Sequence, residues 1–370
     1  MIKKTAILVL VISLLLSVLS PVSTQAQTEL TILESSATAE FPDELSFSLS
    51  AESAAYITDI RLHYQVYKDS FARVTSEAHI EFAVASSITV SWSWDMRKTG
   101  ALPPGATVGY WWSVTDASGS MVSTAPAAVQ FDDNRYSWQS LTSGELTLYW
   151  YRGDDSFAWE IMDAAQKALT RIAQDTGVHL MKPVSLYIYA SAQELQEAMV
   201  FSQEWTGGLA YTRYGVIAIG IAPNNLQWGK RATIHELAHL VTQQMTFNPY
   251  NYLPNWLNEG LSMYAEGELE ALYVDYLEQG VTENSLISVR SLASPFSAFA
   301  GQTYLAYAQS YSLIEFLISS FGHDRMYKLL STFKQGNSHD GVLMKVYGFD
   351  MDGLDNLWRD WITKRYYLGA

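Results

Sequence analysis

The hydrophobic pattern of this chain changes period once, close to Asp132-Asp133-Asn134-Arg135, and that break constrains the fold more than any other feature. Before it, apolar and polar residues alternate: Leu45, Phe47 and Leu49; Ile60, Leu62, Tyr64 and Val66; Ile88, Val90, Trp92 and Trp94; Val108, Tyr110, Trp112 and Val114. Successive side chains on a strand point to opposite faces, so a period of two predicts β-strands. Turn signals such as Pro103-Pro104-Gly105 and Ser118-Gly119 cut the region into about seven short strands. This spacing predicts an immunoglobulin-like or fibronectin-like β-sandwich over residues 27–133, whose aromatic residues fill its core or cover its face.

After the break, strand and helix signals alternate. Residues 146–151 and 184–189 read as strands, 156–174 as a long helix, and Ser191-Ala192-Gln193-Glu194 as a capping box opening another. The β-rich run Gly215-Val216-Ile217-Ala218-Ile219-Gly220-Ile221 follows, then a helix over 229–245. Residues 134–370 are therefore expected to form a mixed α/β domain, making the whole chain α+β. Leu343, Val346, Leu354, Leu357, Trp358 and Trp361 predict closing helices packed on that domain.

Composition removes several function classes. Lys and Arg total 23 against 38 Asp and Glu, with no basic cluster, which argues against a phosphate-backbone partner. Cysteine is absent, so disulfides, thiolate metal sites and cysteine nucleophiles are excluded together. No Gly-x-Ser-x-Gly elbow marks a serine hydrolase. At the start, Lys3 and Lys4 precede an apolar run ending near Leu19, then Pro21 and Thr24-Gln25-Ala26. This reads as a bacterial secretory signal over residues 1–26, cleaved after Ala26, and predicts an exported protein with no stable membrane insertion. Nothing in the sequence fixes the oligomeric state.

One motif carries chemistry. Inside the helix over 229–245 stands His235-Glu236-Leu237-Ala238-His239. Residues four apart lie one above the other on a helical face, so both imidazoles can reach one cation, while Glu236 lies about 100° round and can touch a water on it. A catalytic zinc takes three protein ligands and leaves a fourth position open, so a third donor is expected on a neighbouring element. Glu259 lies 20 residues past His239, on a helix starting near Pro254. The stretch Phe247-Asn248-Pro249-Tyr250-Asn251-Tyr252 supplies the reversal between the two.

HELAH followed after 16 residues by WLNEGLSMYAEG resembles the gluzincin metallopeptidases, and especially the peptidase MA-like group of exported bacterial proteins. The resemblance implies a thermolysin-like domain with one Zn2+ held by His235, His239 and Glu259. Glu236 would then be the general base that hydrolyses peptide bonds through a metal-activated water. Tyr307 matches the gluzincin-aminopeptidase tyrosine that donates to the developing oxyanion, although Tyr304 and Tyr311 share its face. The run Gly215 to Ile221 matches the strand whose open edge binds the extended substrate.

The pattern also departs from the family's. Gly-Ala-Met-Glu-Asn, which holds a substrate amine in gluzincin aminopeptidases, does not occur, and this favours an endopeptidase. Met263 stands where thermolysin-like enzymes carry an Asp that orients a zinc histidine, leaving Asn258 and Glu266 as nearby polar residues, the latter read as solvated. Two other readings stay open: a peptidase-fold binding protein without turnover, and a wall-associated carbohydrate-binding protein using the aromatic sandwich.

Overall fold

The computed structural model describes residues 29–201, 207–297 and 299–367; the predicted signal lies outside them. Among the described residues no helix is long and apolar enough to cross a membrane.

The period-two region forms one seven-stranded antiparallel sheet. Strand β1 (Thr31–Glu40) turns into β2 (Glu44–Val66), a strand of 23 residues that acts as a spine. The first half of β2 pairs with β1 on one side and β4 (Ala85–Asp95) on the other; its second half pairs with β3 (Ser76–His79) and β5 (Ala106–Asp116). Outside β5 lie β6 (Met121–Ser123) and β7 (Ala127–Phe131). The expected sandwich would divide these strands between two sheets. Instead β2, with register shifts between Glu52 and Ile57, links all of them in one hydrogen-bonded network. Leu45, Phe47, Leu49, Trp94, Trp112 and Val114 point into its core, which withdraws two of the tryptophans from any exposed aromatic platform. A short helix, α1 (Met96–Thr99), follows β4.

The second sheet has the order β11-β12-β10-β9-β8. It comprises β8 (Gln139–Ser143), β9 (Leu146–Trp150), β10 (Val184–Tyr189), β11 (Gly208–Tyr211) and β12 (Val216–Gly220). The central strands β9, β10 and β12 run parallel, with β8 and β11 antiparallel on the flanks. All five residues of β12 are buried, and all of β10 except Ser185. Such continuous burial requires cover on both faces. Helices cover one face through Leu186, Ile188, Ile217 and Ile219, while the core of the first sheet continues onto the other through Tyr187, Tyr189, Val216 and Ala218.

The polar stretch where the pattern changes is fastened rather than loose. Buried Asp133 pairs with Arg135 and accepts from the Tyr189 hydroxyl at 2.9 Å, and the Asp133 carbonyl accepts from Trp138 Nε1 at 2.7 Å.

Helix α2 (Asp155–Thr176) is capped by Asp154, whose carboxylate accepts from the Phe157 amide, and buries Phe157, Ile161, Ala165, Ala168 and Ile172 at helical spacing. The short α3 (Ala192–Glu197) begins at Ser191, whose hydroxyl accepts from the Glu194 amide as the capping box requires. Helix α4 (Leu226–Thr246) starts after a 3-10 turn at Pro223–Asn225. Its first turn is pressed on the sheet, since a Cβ at Gly229 would collide with Ile221. Helix α5 (Asn255–Glu266) reverses beside it, and α6 (Ala271–Thr282) and α7 (Val289–Leu292) lead into α8 (Ala300–Phe321). Where α5 meets α8, a Cβ at Gly260 would strike the Ser310 carbonyl, so only glycine permits that approach. Helices α9 (His323–Phe333), α10 (His339–Tyr347) and α11 (Met351–Tyr367) close the bundle, with Leu343, Val346, Leu354 and Trp358 buried as expected and Leu357 exposed.

Candidate metal centre

Helical spacing brings His235 and His239 together on one face of α4, with their Nε2 atoms 3.1 Å apart. Glu259, from the second turn of α5, places Oε2 3.4 Å from each of these nitrogens. The far nitrogens are engaged elsewhere. His235 Nδ1 lies 2.7 Å from Glu266 Oε1, a carboxylate able only to accept, and His239 Nδ1 lies 3.0 Å from Ser262 Oγ. Glu266 holds the His235 ring proton on Nδ1, and when Ser262 accepts from His239 Nδ1 in the same way, two Nε2 lone pairs and a carboxylate oxygen face one another. Such a triangle is repulsive until a cation stands among them. A tetrahedral ion with bonds of about 2.0–2.1 Å sets its ligands about 3.3–3.4 Å apart; the two edges to Glu259, at 3.4 Å, match that size and the edge between the histidines, at 3.1 Å, is slightly shorter. Among the described residues these three side chains form a group able to hold a metal ion.

The electrostatics agree. Burial opposes a proton on His235, but its hydrogen bonds to Glu259 and Glu266 outweigh that cost and raise its pKa to about 10. His239 is likewise raised against burial, chiefly by the charge of Glu259. Glu259 is held far below the usual carboxylate range despite burial, by the charge of His239 and hydrogen bonds from both histidines. Here the site is a cation-seeking cage that protons occupy when nothing else does.

The residues supporting the histidines were only partly legible. Glu266, expected on a solvated face, instead holds His235, and its other oxygen accepts from Arg231 Nη2 at 3.0 Å and Nε at 3.1 Å. Arg231 also pairs with Glu270. Met263, in the place of the absent Asp, is buried; the carboxylate comes from one turn further along α5. Asn258 approaches the second oxygen of Glu259 at 3.5 Å. Ser262 was not singled out at all, though its place three residues after Glu259 puts it on the same helical face. His323, opening α9, hydrogen-bonds the Asp175 carbonyl at 2.8 Å and is exposed.

Glu236 turns toward the second sheet, where a Cβ on Gly208 would lie 3.0 Å from its Oε1. Gly208 begins β11, and this corrects one expectation. The run from Gly215 to Ile221 is not an edge: β12 within it pairs with β10 on one side and β11 on the other. The four residues of β11, too short to register as a period-two pattern, take the outer position, and among the described residues they pair only with β12. Of the three tyrosines on α8, Tyr304 packs on Tyr273 and Tyr276, and Tyr311 on Tyr264. Tyr307 faces the site, its ring 6.4 Å from that of His235 and braced by Phe296 at 5.3 Å. Burial, then the charge of Glu259, pushes the Tyr307 hydroxyl well above the ordinary tyrosine range and keeps it a hydrogen-bond donor.

Among solved structures, yeast LTA4 hydrolase in complex with bestatin aligns over 95% of this chain and 68% of its own, at 11% identity and a TM-score of 0.37. Catalytically inactive OgpA from Akkermansia muciniphila, in complex with an O-glycopeptide, aligns over 29% of this chain at 11% identity and a TM-score of 0.22. This chain covers 30% of the length of that OgpA structure. No curated protein matches significantly. A family model described as the Peptidase MA superfamily matches residues 164–364, which include α4, α5 and α8 entire. With more than half of its length matched, the chain belongs to the Peptidase MA superfamily.

Proposed function

We propose that the protein is an exported, zinc-dependent endopeptidase of the gluzincin type, with His235, His239 and Glu259 as metal ligands and Glu236 as general base. One observation carries this reading: three lone-pair donors converge within 3.4 Å of one another, and Glu236 lies between them and an open strand edge. A divalent cation in such a cage supplies Lewis acidity, polarising a carbonyl and lowering the pKa of water toward neutrality.

The remaining steps belong to side chains. An extended peptide adds to the free edge of β11, whose N–H and C=O groups fix its register. Glu236 takes a proton from the attacking water and returns it to the leaving amine. The Tyr307 hydroxyl donates to the carbonyl oxygen as negative charge collects there. The Gly-Ala-Met-Glu-Asn sequence that holds a substrate amine in gluzincin aminopeptidases does not occur in the chain, which favours internal cleavage.

Glu236→Gln preserves shape while removing the base. Metal content should stay at one ion per chain and turnover on an unfolded protein substrate should fall by about 10²–10⁴-fold. Wild-type turnover in this variant overturns the assignment. Tyr307→Phe should lower kcat by about 10²-fold with KM little changed; an unchanged kcat would return Tyr307 to a packing role.

A further inference from the structure

The loop joining β2 to β3, residues 67–75, extends from the first sheet to the turn between β11 and β12. Arg213, in the turn between β11 and β12, binds it twice: its carbonyl accepts from the Asp69 amide at 2.7 Å, and its Nε donates to the Asp69 carbonyl at 2.8 Å. Lys182 pairs with the Asp69 carboxylate. Phe71 stacks on Phe247, the residue that follows α4, with ring centroids 4.1 Å apart. The loop is thereby fixed at the distal ends of both the edge strand and the metal helix. Arg213 stands five positions after Gly208, which lies against Glu236; β11 covers three of those steps, about 10 Å at the usual rise of a strand, before the chain turns.

Beside Arg213 the loop encloses a groove of about 960 Å³ lined by Tyr67, Lys68, Phe71, Arg73 and Val74. Tyr67 and Phe71 are each 54% exposed and Val74 71%, an uncovered apolar surface next to a strand edge. The same wall carries three cations, and its acid, Asp69, is already paired with Lys182. In a chain of net charge −15, this is a local reversal of sign. Lys68 lies over the Tyr214 ring, with Nζ 5.5 Å from its centroid, and burial, then the charge of Arg213, lower its pKa.

We propose that this groove lies beyond the far end of the β11 edge and takes the peptide segment N-terminal to the scissile bond, selecting an acidic side chain beside apolar ones about three to five residues upstream. The inference rests on the peptidase reading above. It commits to antiparallel addition: β11 runs away from Glu236 toward Arg213, so an antiparallel partner has its N-terminal part at the groove and its scissile bond at Gly208.

The test uses two peptides with one cleavable core, extended upstream by Phe with either Glu or Lys at those positions. Wild type should cleave the Glu peptide with kcat/KM about fivefold above the Lys peptide at low salt, and Lys68→Glu/Arg73→Glu should reverse the preference. Equal rates in the wild type, or a preference that survives charge reversal, overturn the groove. If the wild type cleaves neither peptide, the peptidase reading fails by itself, and fluorescence anisotropy with Glu236→Gln still decides the groove. There, about fivefold tighter binding of the Glu peptide supports it, and equal binding overturns it.

Discussion

His235 and His239 stand one helical turn apart and face the same point, yet the two sides of the site that hold them are built from different chemistry. On one side is a chain of charges: His235 to Glu266, Glu266 to Arg231, Arg231 to Glu270. On the other is one neutral hydroxyl, that of Ser262, buried between α4 and α5 and 3.0 Å from His239. A carboxylate fixes the tautomer of its histidine, because it can only accept, and it makes the ring more basic toward a metal. A hydroxyl can donate or accept, so it orients a ring without deciding its protonation. The site is accordingly rigid and electron-rich at His235 and more permissive at His239.

The sharpest way to break this asymmetry is to delete the charged side. Glu266→Ala leaves Arg231 beside an unanchored His235, and metal affinity should fall by about 10- to 100-fold, read by competition with a chromophoric chelator. Glu266→Gln, which keeps an acceptor without the charge, should recover part of the loss. Affinity unchanged in both variants would reduce the charge chain to a surface ion-pair network.

Proton release gives a second measure. The pKa of His235 lies above its unfolded value of 6.5, at about 10, so its charge–charge contacts stabilise the metal-free fold fully below about pH 6.5 and fade as pH rises toward 10. A metal ion must displace that proton. Affinity should therefore rise by about tenfold per pH unit for each proton lost across this window, with His239 adding to the count because it too is raised. Calorimetry in buffers of different ionisation enthalpy counts the protons directly. Glu266→Gln should release fewer; a count of zero in the wild type would remove the caged-proton picture.

The same contrast separates what the sequence disclosed from what it hid. HELAH was legible because two ligands four residues apart, with a base next to the first, depend only on helical pitch, and Glu259 because a catalytic metal needs a third donor soon after. Glu266 was visible but misassigned, since its reach to His235 depends on how α4 and α5 cross, and close packing of α5 against α8 at Gly260 helps set that geometry. A spacing clue existed: Glu259, Ser262 and Glu266 fall at i, i+3 and i+7 on one face. In the first sheet, alternation predicted the strands but not their pairing, because a 23-residue strand with partners on both sides is invisible to a window of eight. The edge strand was missed for the opposite reason: at four residues led by glycine, β11 carries too little pattern, and its longer neighbour took the assignment.

The smallest effect falls on the neutral side. Ser262→Ala removes one hydrogen bond to His239 and leaves Nδ1 facing a methyl group in a buried position. A neutral hydrogen bond contributes about 0.5–1.5 kcal/mol, so metal affinity should drop by only about three- to tenfold, and the proton count should stay near that of the wild type. The double variant tests whether the two supports act independently. His235 and His239 share Glu259 and the ion, so stiffening one ring limits how far the other can stray, and the combined loss should exceed the sum of the single losses in free energy. Strict additivity would mean that each histidine is held by its own partner alone, and that the coupling through the shared carboxylate is negligible.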